Sequence, residues 1–150
     1  MKPSLMVLLV LSSLLQAGDT GSRALYVGGT VPGVRTKTSV TIELSGEDNI
    51  KLTSRGDSFL IPCRDVNTLE YGMRTSRRYV EAVLISPIFL AAKKKTHFLT
   101  IGYTDAQGKQ QAMVLQVGKD DIRPLLVSLE ARTGRKIEYQ DEDARKAGRG

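Results

Sequence analysis

The sequence predicts a mainly β protein: a bent antiparallel sheet or partly open barrel of six to seven strands, followed by one C-terminal amphipathic helix. Three observations carry that expectation. Apolar residues recur with a period of two from Ala24 to Val117, the period of strands with one buried face. Clusters of Gly, Pro, Asp and Ser interrupt the run at short intervals, as turns do between strands. Beyond Gly118 the spacing changes to three and four, which marks one face of a helix.

Taken in order, Ala24 to Thr30 reads as a strand, with Gly28 and Gly29 marking a bend or bulge near its end. Pro32 and Gly33 turn the chain. Val40, Ile42 and Leu44 alternate with Thr41 and Glu43, and Ile50 and Leu52 face inward on the return strand after Ser45-Gly46-Glu47-Asp48. Arg55-Gly56-Asp57 makes another turn. Phe59 and Ile61 share one face of a strand that Pro62 ends, and Val66, Leu69 and Tyr71 belong to a further strand stopped at Gly72. The clearest hairpin joins His97, Leu99, Ile101 and Tyr103 to Met113, Leu115 and Val117 through Asp105-Ala106-Gln107-Gly108, with Asp first and Gly last as a type I turn with a bulge prefers. Ile122, Leu125, Leu126 and Leu129 then define a helix over about 120–133, with Asp120 as the expected cap, Pro124 in or near the first turn and Gly134 at the end. Asp141, Glu142, Asp143, Arg145, Lys146 and Arg149 dominate the end of the chain, and without apolar periodicity residues 140–150 read as a disordered tail.

A chain of 150 residues is long enough for one cored domain and too short for two. With 41% hydrophobic and 25% charged residues it is not disordered throughout, and with 5% aromatics and no Trp its core is aliphatic. Residues 1–18 read as a signal peptide: Lys2, then the apolar run Leu5 to Leu15, then the small pair Ala17-Gly18. The expected domain therefore spans 19–139, and the expected location is periplasmic or extracellular. Cys63 is the only cysteine, so no internal disulfide forms and packing alone holds the fold.

The plan of short antiparallel strands closed by a helix resembles the pleckstrin-homology-like barrel, including GRAM-type modules. Four phrases, Ala24-Leu25-Tyr26-Val27-Gly28-Gly29-Thr30, Leu69-Glu70-Tyr71-Gly72, Lys95-Thr96-His97-Phe98-Leu99-Thr100-Ile101 and Leu129-Glu130-Ala131-Arg132-Thr133-Gly134, also resemble a group of small exported bacterial proteins to which no established activity attaches. The pleckstrin-homology resemblance implies phosphate-binding basic residues in the loop between the first two strands. Arg35 and Lys37 stand there, without the strict basic pattern of lipid-binding members.

Motifs for chemistry are sparse. His97 is the only histidine, and with Cys63 it supplies too few ligands for a zinc-type site. Gly28-Gly29 and Gly33 lack the Lys-Ser/Thr ending of a phosphate loop, and no cofactor is expected. Glu43, Asp57, Asp65, Glu70 and Glu81 fall on separate elements. The unusual stretch is the apolar run Tyr79 to Ala92, interrupted by Pro87 and collared by Arg74, Arg77 and Arg78 before it and Lys93, Lys94 and Lys95 after it. It is shorter than the ~20 residues a helical span needs. Apolar residues with cations at both ends suit a loop that touches an anionic membrane surface or a protein partner, with Phe89 as its largest apolar group.

The formal charge of +6 agrees with an anionic partner. Export and the lack of aromatics among the basic residues disfavour nucleic acid. The functional expectation is thus a non-enzymatic binding or scaffolding module of the cell envelope, its site formed by Arg74, Arg77, Arg78, Phe89, Lys93, Lys94 and Lys95. Two alternatives stand beside it: a small hydrolase-type enzyme using Cys63 or His97, and an oligomeric structural envelope protein that hides residues 79–92 between chains.

The targeting segment makes a direct prediction. The mature protein begins between Gly18 and Arg23, so Lys2 and the apolar run are lost. Intact-mass and N-terminal analysis of the exported fraction checks this, and a chain still carrying Met1 to Gln16 would be an anchored protein instead.

Overall fold

A computed structural model describes residues 21–46, 48–73 and 96–149. These form strands β1 (Ser22–Gly29), β2 (Thr38–Ser45), β3 (Asn49–Ser54), β4 (Asp57–Pro62), β5 (Val66–Gly72), β6 (His97–Thr104) and β7 (Gln110–Val117), then helix α1 (Lys119–Thr133), strand β8 (Ile137–Tyr139) and helix α2 (Glu142–Arg149). One sheet contains all eight described strands in the order β4-β3-β2-β1-β7-β6-β5-β8. Every pairing is antiparallel except that of β8 with β5.

This order cannot be laid out flat. β4 and β5 stand six places apart in it, about 29 Å at the usual strand spacing of about 4.8 Å. Yet a single 3-10 turn of three residues, Cys63–Asp65, joins them, and the four steps from Pro62 to Val66 reach at most about 14 Å. The sheet therefore curls until its two ends approach. The rings of Phe59 on β4 and Tyr103 on β6 lie 6.2 Å apart although four strands' width of sheet separates those strands. The curl stays open: β4 bonds only to β3, and β8 only to β5.

The concave face holds the main core. Val40, Ile42, Leu44, Ile50, Leu52 and Ile61 alternate inward from β2, β3 and β4, and Leu99, Ile101, Met113 and Leu115 do so from β6 and β7. Register puts Ile42 opposite Leu52 and Leu44 opposite Ile50, so the inward side chains of neighbouring strands meet directly. Two bulges adjust the pattern. A register shift between Tyr26 and Gly28 lies where the glycine pair predicts a bend. A second, between Val66 and Thr68, lets Val66 and Leu69 both face inward although they are three residues apart. On the opposite face Val27, Phe98 and Val114 form a smaller buried cluster, each at most 3% exposed.

α1 fills the concavity with Ile122, Leu125, Leu126 and Leu129, the four positions its spacing predicts. Gly134 ends it in the left-handed conformation at φ 68°, its N–H bonding the Glu130 carbonyl. The β6–β7 turn is also as the sequence predicts: the Gly108 N–H donates to the Asp105 carbonyl at 2.9 Å, and Asp105 Oδ1 accepts from the backbone N–H groups of Gln107 and Lys109.

Four expectations need correction. Gly118, not Asp120, caps α1, without a side-chain bond; Asp120 and Asp121 lie inside the first turn, where carboxylates favour the positive end of the helix dipole. Pro124 lies past the first turn, inside the helix, so the Asp120 carbonyl lacks the usual i+4 donor. The described residues hold eight strands rather than six or seven, because Ile137–Tyr139 adds a short parallel edge. Residues 142–149 are a second helix, not part of a disordered tail. Asp141 caps it by accepting from the Ala144 N–H at 2.7 Å. Ala144 and Gly148 are buried, and a Cβ on Gly148 would lie 2.6 Å from the Tyr139 ring, so only glycine permits this approach.

Leu126 is 2% exposed in the main core. Leu126→Ala is expected to cost about 2–5 kcal/mol, read as a lowered midpoint in urea with unchanged slope. A loss below about 1 kcal/mol would mean that α1 is not docked in the concavity.

Candidate functional site

Three chain segments meet at one end of the β6–β7 pair. His97 begins β6 and stands opposite Val117, near the end of the hairpin. Gly118 alone separates Val117 from Lys119, so α1 starts beside His97. α2 is held against α1 partly by Arg123, whose Nε donates to the Ala147 carbonyl at 2.8 Å. The result is an open cleft of about 810 Å³ between His97, Gln116, Gly118 and Lys119 on one side and Asp143, Lys146 and Ala147 on the other, with Met73 and Thr96 also lining it.

The imidazole of His97 is fixed from behind. Its Nδ1 lies 2.5 Å from the Tyr71 hydroxyl, and the two rings are nearly parallel with centroids 5.9 Å apart. Tyr139 meets Tyr71 edge-on, and the Arg149 guanidinium lies 5.4 Å from the Tyr139 ring centre. Burial raises the Tyr71 phenol above its ordinary value, so it stays protonated at neutral pH. Burial lowers His97, and the positive charges of Lys119 and Arg123 lower it further. Lys119 and Lys146 make no ion pair with a described carboxylate.

The other residues singled out by the sequence lie elsewhere. Cys63 is 5% exposed, and burial pushes its thiol up, which keeps it protonated and unreactive. It senses Arg132 at the end of α1, whereas His97 senses Lys119 at its start. Val66, just after Cys63, pairs with Tyr103 near one end of β6 while His97 begins the other end, six residues or about 20 Å away, so the register holds Cys63 and His97 apart. Arg35 and Lys37 belong to the loop after β1, which is tied to Ala112 near the start of β7, while the cleft adjoins Val117 near its end. Glu43 pairs with Lys51 across β2 and β3 at 3.2 Å, Asp65 with Arg64, and Glu70 accepts from the Gln140 amide. Among the described residues no cluster of His, Cys, Asp and Glu is arranged to hold a metal ion, and no helix is long and apolar enough to cross a membrane. Arg74, Arg77, Arg78, Phe89, Lys93, Lys94 and Lys95 lie outside the described residues, as does the apolar run between them.

Sequence reasoning missed Gln116, Lys119 and Lys146 as a group. Each is an ordinary polar residue in its own segment, and only the turn at Gly118 and the docking of α2 bring them together. No protein-family model matches this chain, and no curated protein sequence matches it.

The lowered His97 makes a signed prediction. Because the folded value lies below the ordinary 6.5, the unfolded chain binds the extra proton more readily. His97 therefore removes stability as pH falls below about 6.5, until the lowered folded value is passed. Lys119→Gln removes a nearby positive charge and is expected to move the His97 titration upward, toward its ordinary value. The single histidine gives one NMR titration curve, and an unmoved midpoint in the variant would show that Lys119 does not act on the ring.

Proposed function

We propose that this chain is a non-enzymatic binding or scaffolding module of the cell envelope, exported by its first 18 residues and built on a pleckstrin-homology-like frame. The observation that carries the reading is the strand order β4-β3-β2-β1-β7-β6-β5, with α1 following β7 and packing into the concavity. A seven-strand bent sheet plugged by the next helix is the pleckstrin-homology-like plan, and β8 and α2 are additions to it. Such a frame presents loops for binding and needs no catalytic group of its own.

The partner in this reading is an anionic membrane surface. Met73 and Thr96, which flank the apolar segment and its basic collar, both line the cleft that carries Lys119 and Lys146. The described cations thus stand at the same end of the sheet as the roots of the collar. Each basic residue close to an anionic surface adds about 1 kcal/mol at most, so several acting together are needed. Apolar contact from residues 79–92 would add a part that salt does not weaken.

A second reading has one observation behind it. Val27, Phe98 and Val114 are buried on the face opposite α1, and an apolar segment rooted beside Phe98 suits that face. Residues 79–92 would then serve packing, and only the collar would meet a partner.

Co-sedimentation with anionic vesicles decides between them. The membrane reading expects binding that falls as salt rises, weakens on replacing Lys93, Lys94 and Lys95 with Gln, and weakens at all salt concentrations in Phe89→Ser. The packing reading expects Phe89→Ser to lower the melting temperature and leave salt-sensitive binding intact. No binding by the wild-type protein at low salt would remove the membrane partner.

A further inference from the structure

We infer that the cleft bounded by His97, Gln116, Lys119 and Lys146 is a binding site for a phosphate group carried on a small molecule or a lipid headgroup. The lining of the cleft includes two lysines and the histidine. Lys119 and Lys146 bring three N–H donors each and no acceptor. In the tautomer whose Nδ1 accepts from the Tyr71 hydroxyl, the His97 ring proton sits on Nε2 and the ring adds a neutral donor. The volume of about 810 Å³ exceeds the need of a bare ion and suits a phosphate together with part of its carrier.

α1 brings Lys119 and Arg123, with Asp121 beside Gly118. α2 brings Lys146 and Asp143, and β5 brings the uncharged Tyr71. The groups that act most strongly on the ring are the two cations Lys119 and Arg123, so the field at His97 is positive. A dianion entering there would be held by that field and would in turn favour the imidazolium. A phosphate monoester meets this demand better than a carboxylate, because it carries more charge and three acceptor oxygens for donors converging from α1, α2 and β6.

The inference uses described residues alone and stands whether or not the apolar segment touches a membrane. His97 is the only histidine, so its ring resonances report the cleft without assignment ambiguity. Inorganic phosphate is titrated against the full-length mature protein, with sodium chloride at matched ionic strength as the reference. The expected result is a saturable His97 shift with phosphate, an upward move of its titration midpoint, and affinity lowered about tenfold or more in Lys119→Gln/Lys146→Gln. Both lysines are exposed, so the double variant is expected to keep the wild-type melting temperature. No shift, an equal shift with chloride, or an unchanged affinity in the double variant would overturn the site. Vesicles then identify the source. Binding to phosphatidic acid but not phosphatidylglycerol, displaced by soluble phosphate, assigns a lipid monoester headgroup. A His97 response to soluble phosphate without that vesicle preference assigns a free phosphate compound.

Discussion

The three-residue link Cys63–Asp65 is the constraint on which the rest of the molecule depends. It ties one edge of an eight-strand sheet to the strand next to the other edge, and only a curled sheet satisfies it. Curling makes a concave face too deep for the strands to fill alone. The side chains of α1 occupy that space, so Ile122, Leu125, Leu126 and Leu129 share one core with Ile42, Leu52, Leu99 and Leu115. Burial of this apolar surface is the main favourable term in a fold that has no disulfide to restrict its unfolded state. The bulges at Tyr26/Gly28 and Val66/Thr68 belong to the same requirement, since extra residues increase local twist and bend.

The same curl fixes where binding groups can gather. α1 must enter the concavity directly from β7, and with Gly118 as the only intervening residue its first turn stays beside the start of β6. β8 then leads the chain back along β5, and α2 lies across the Tyr71 and Tyr139 rings, where Gly148 lets it come close. His97, Lys119 and Lys146 are brought together by these steps and by no local motif. Cys63 sits at the far end of α1, and the only cysteine and the only histidine lie toward opposite ends of β6.

Much of the fold was legible in the sequence because period-two and helical spacing are both long-range signals. Seven strands, the β6–β7 turn and the buried face of α1 each rest on many residues agreeing. The misses were short or small. Ile137–Tyr139 has three residues, too few to show alternation. α2 buries only Ala144 and Gly148, which no hydrophobic count registers, although Asp141 at its start and Arg149 at its end carry the charge order of a helix. The cleft was not legible at all, since its two lysines come from segments 27 residues apart in sequence and its histidine from a hairpin end. The site residues expected from the collar, Arg74 to Lys95, lie outside the described residues, so the part of the site that can be described is the part the sequence did not indicate.

The place of the apolar segment in the topology bears on its purpose. β5 and β6 are antiparallel neighbours, and Gly72 pairs with Phe98, so the roots of the insertion are already held close. A short turn would serve the sheet as well. The connection between β5 and β6 runs through residues 74–95, and the entropic cost of closing a flexible connection rises by only about 0.6 kcal/mol for each doubling of its length. A tolerated loop is ordinarily polar, because apolar groups left in water gain nothing from it. Val80, Val83, Leu84, Ile85, Ile88, Phe89 and Leu90 depart from that composition. In the proposed reading their partner is a lipid surface, with the Val27, Phe98 and Val114 face as the alternative. They differ in what they ask of the collar. Packing against a sheet face makes no use of the six flanking cations, whereas the proposed anionic surface would.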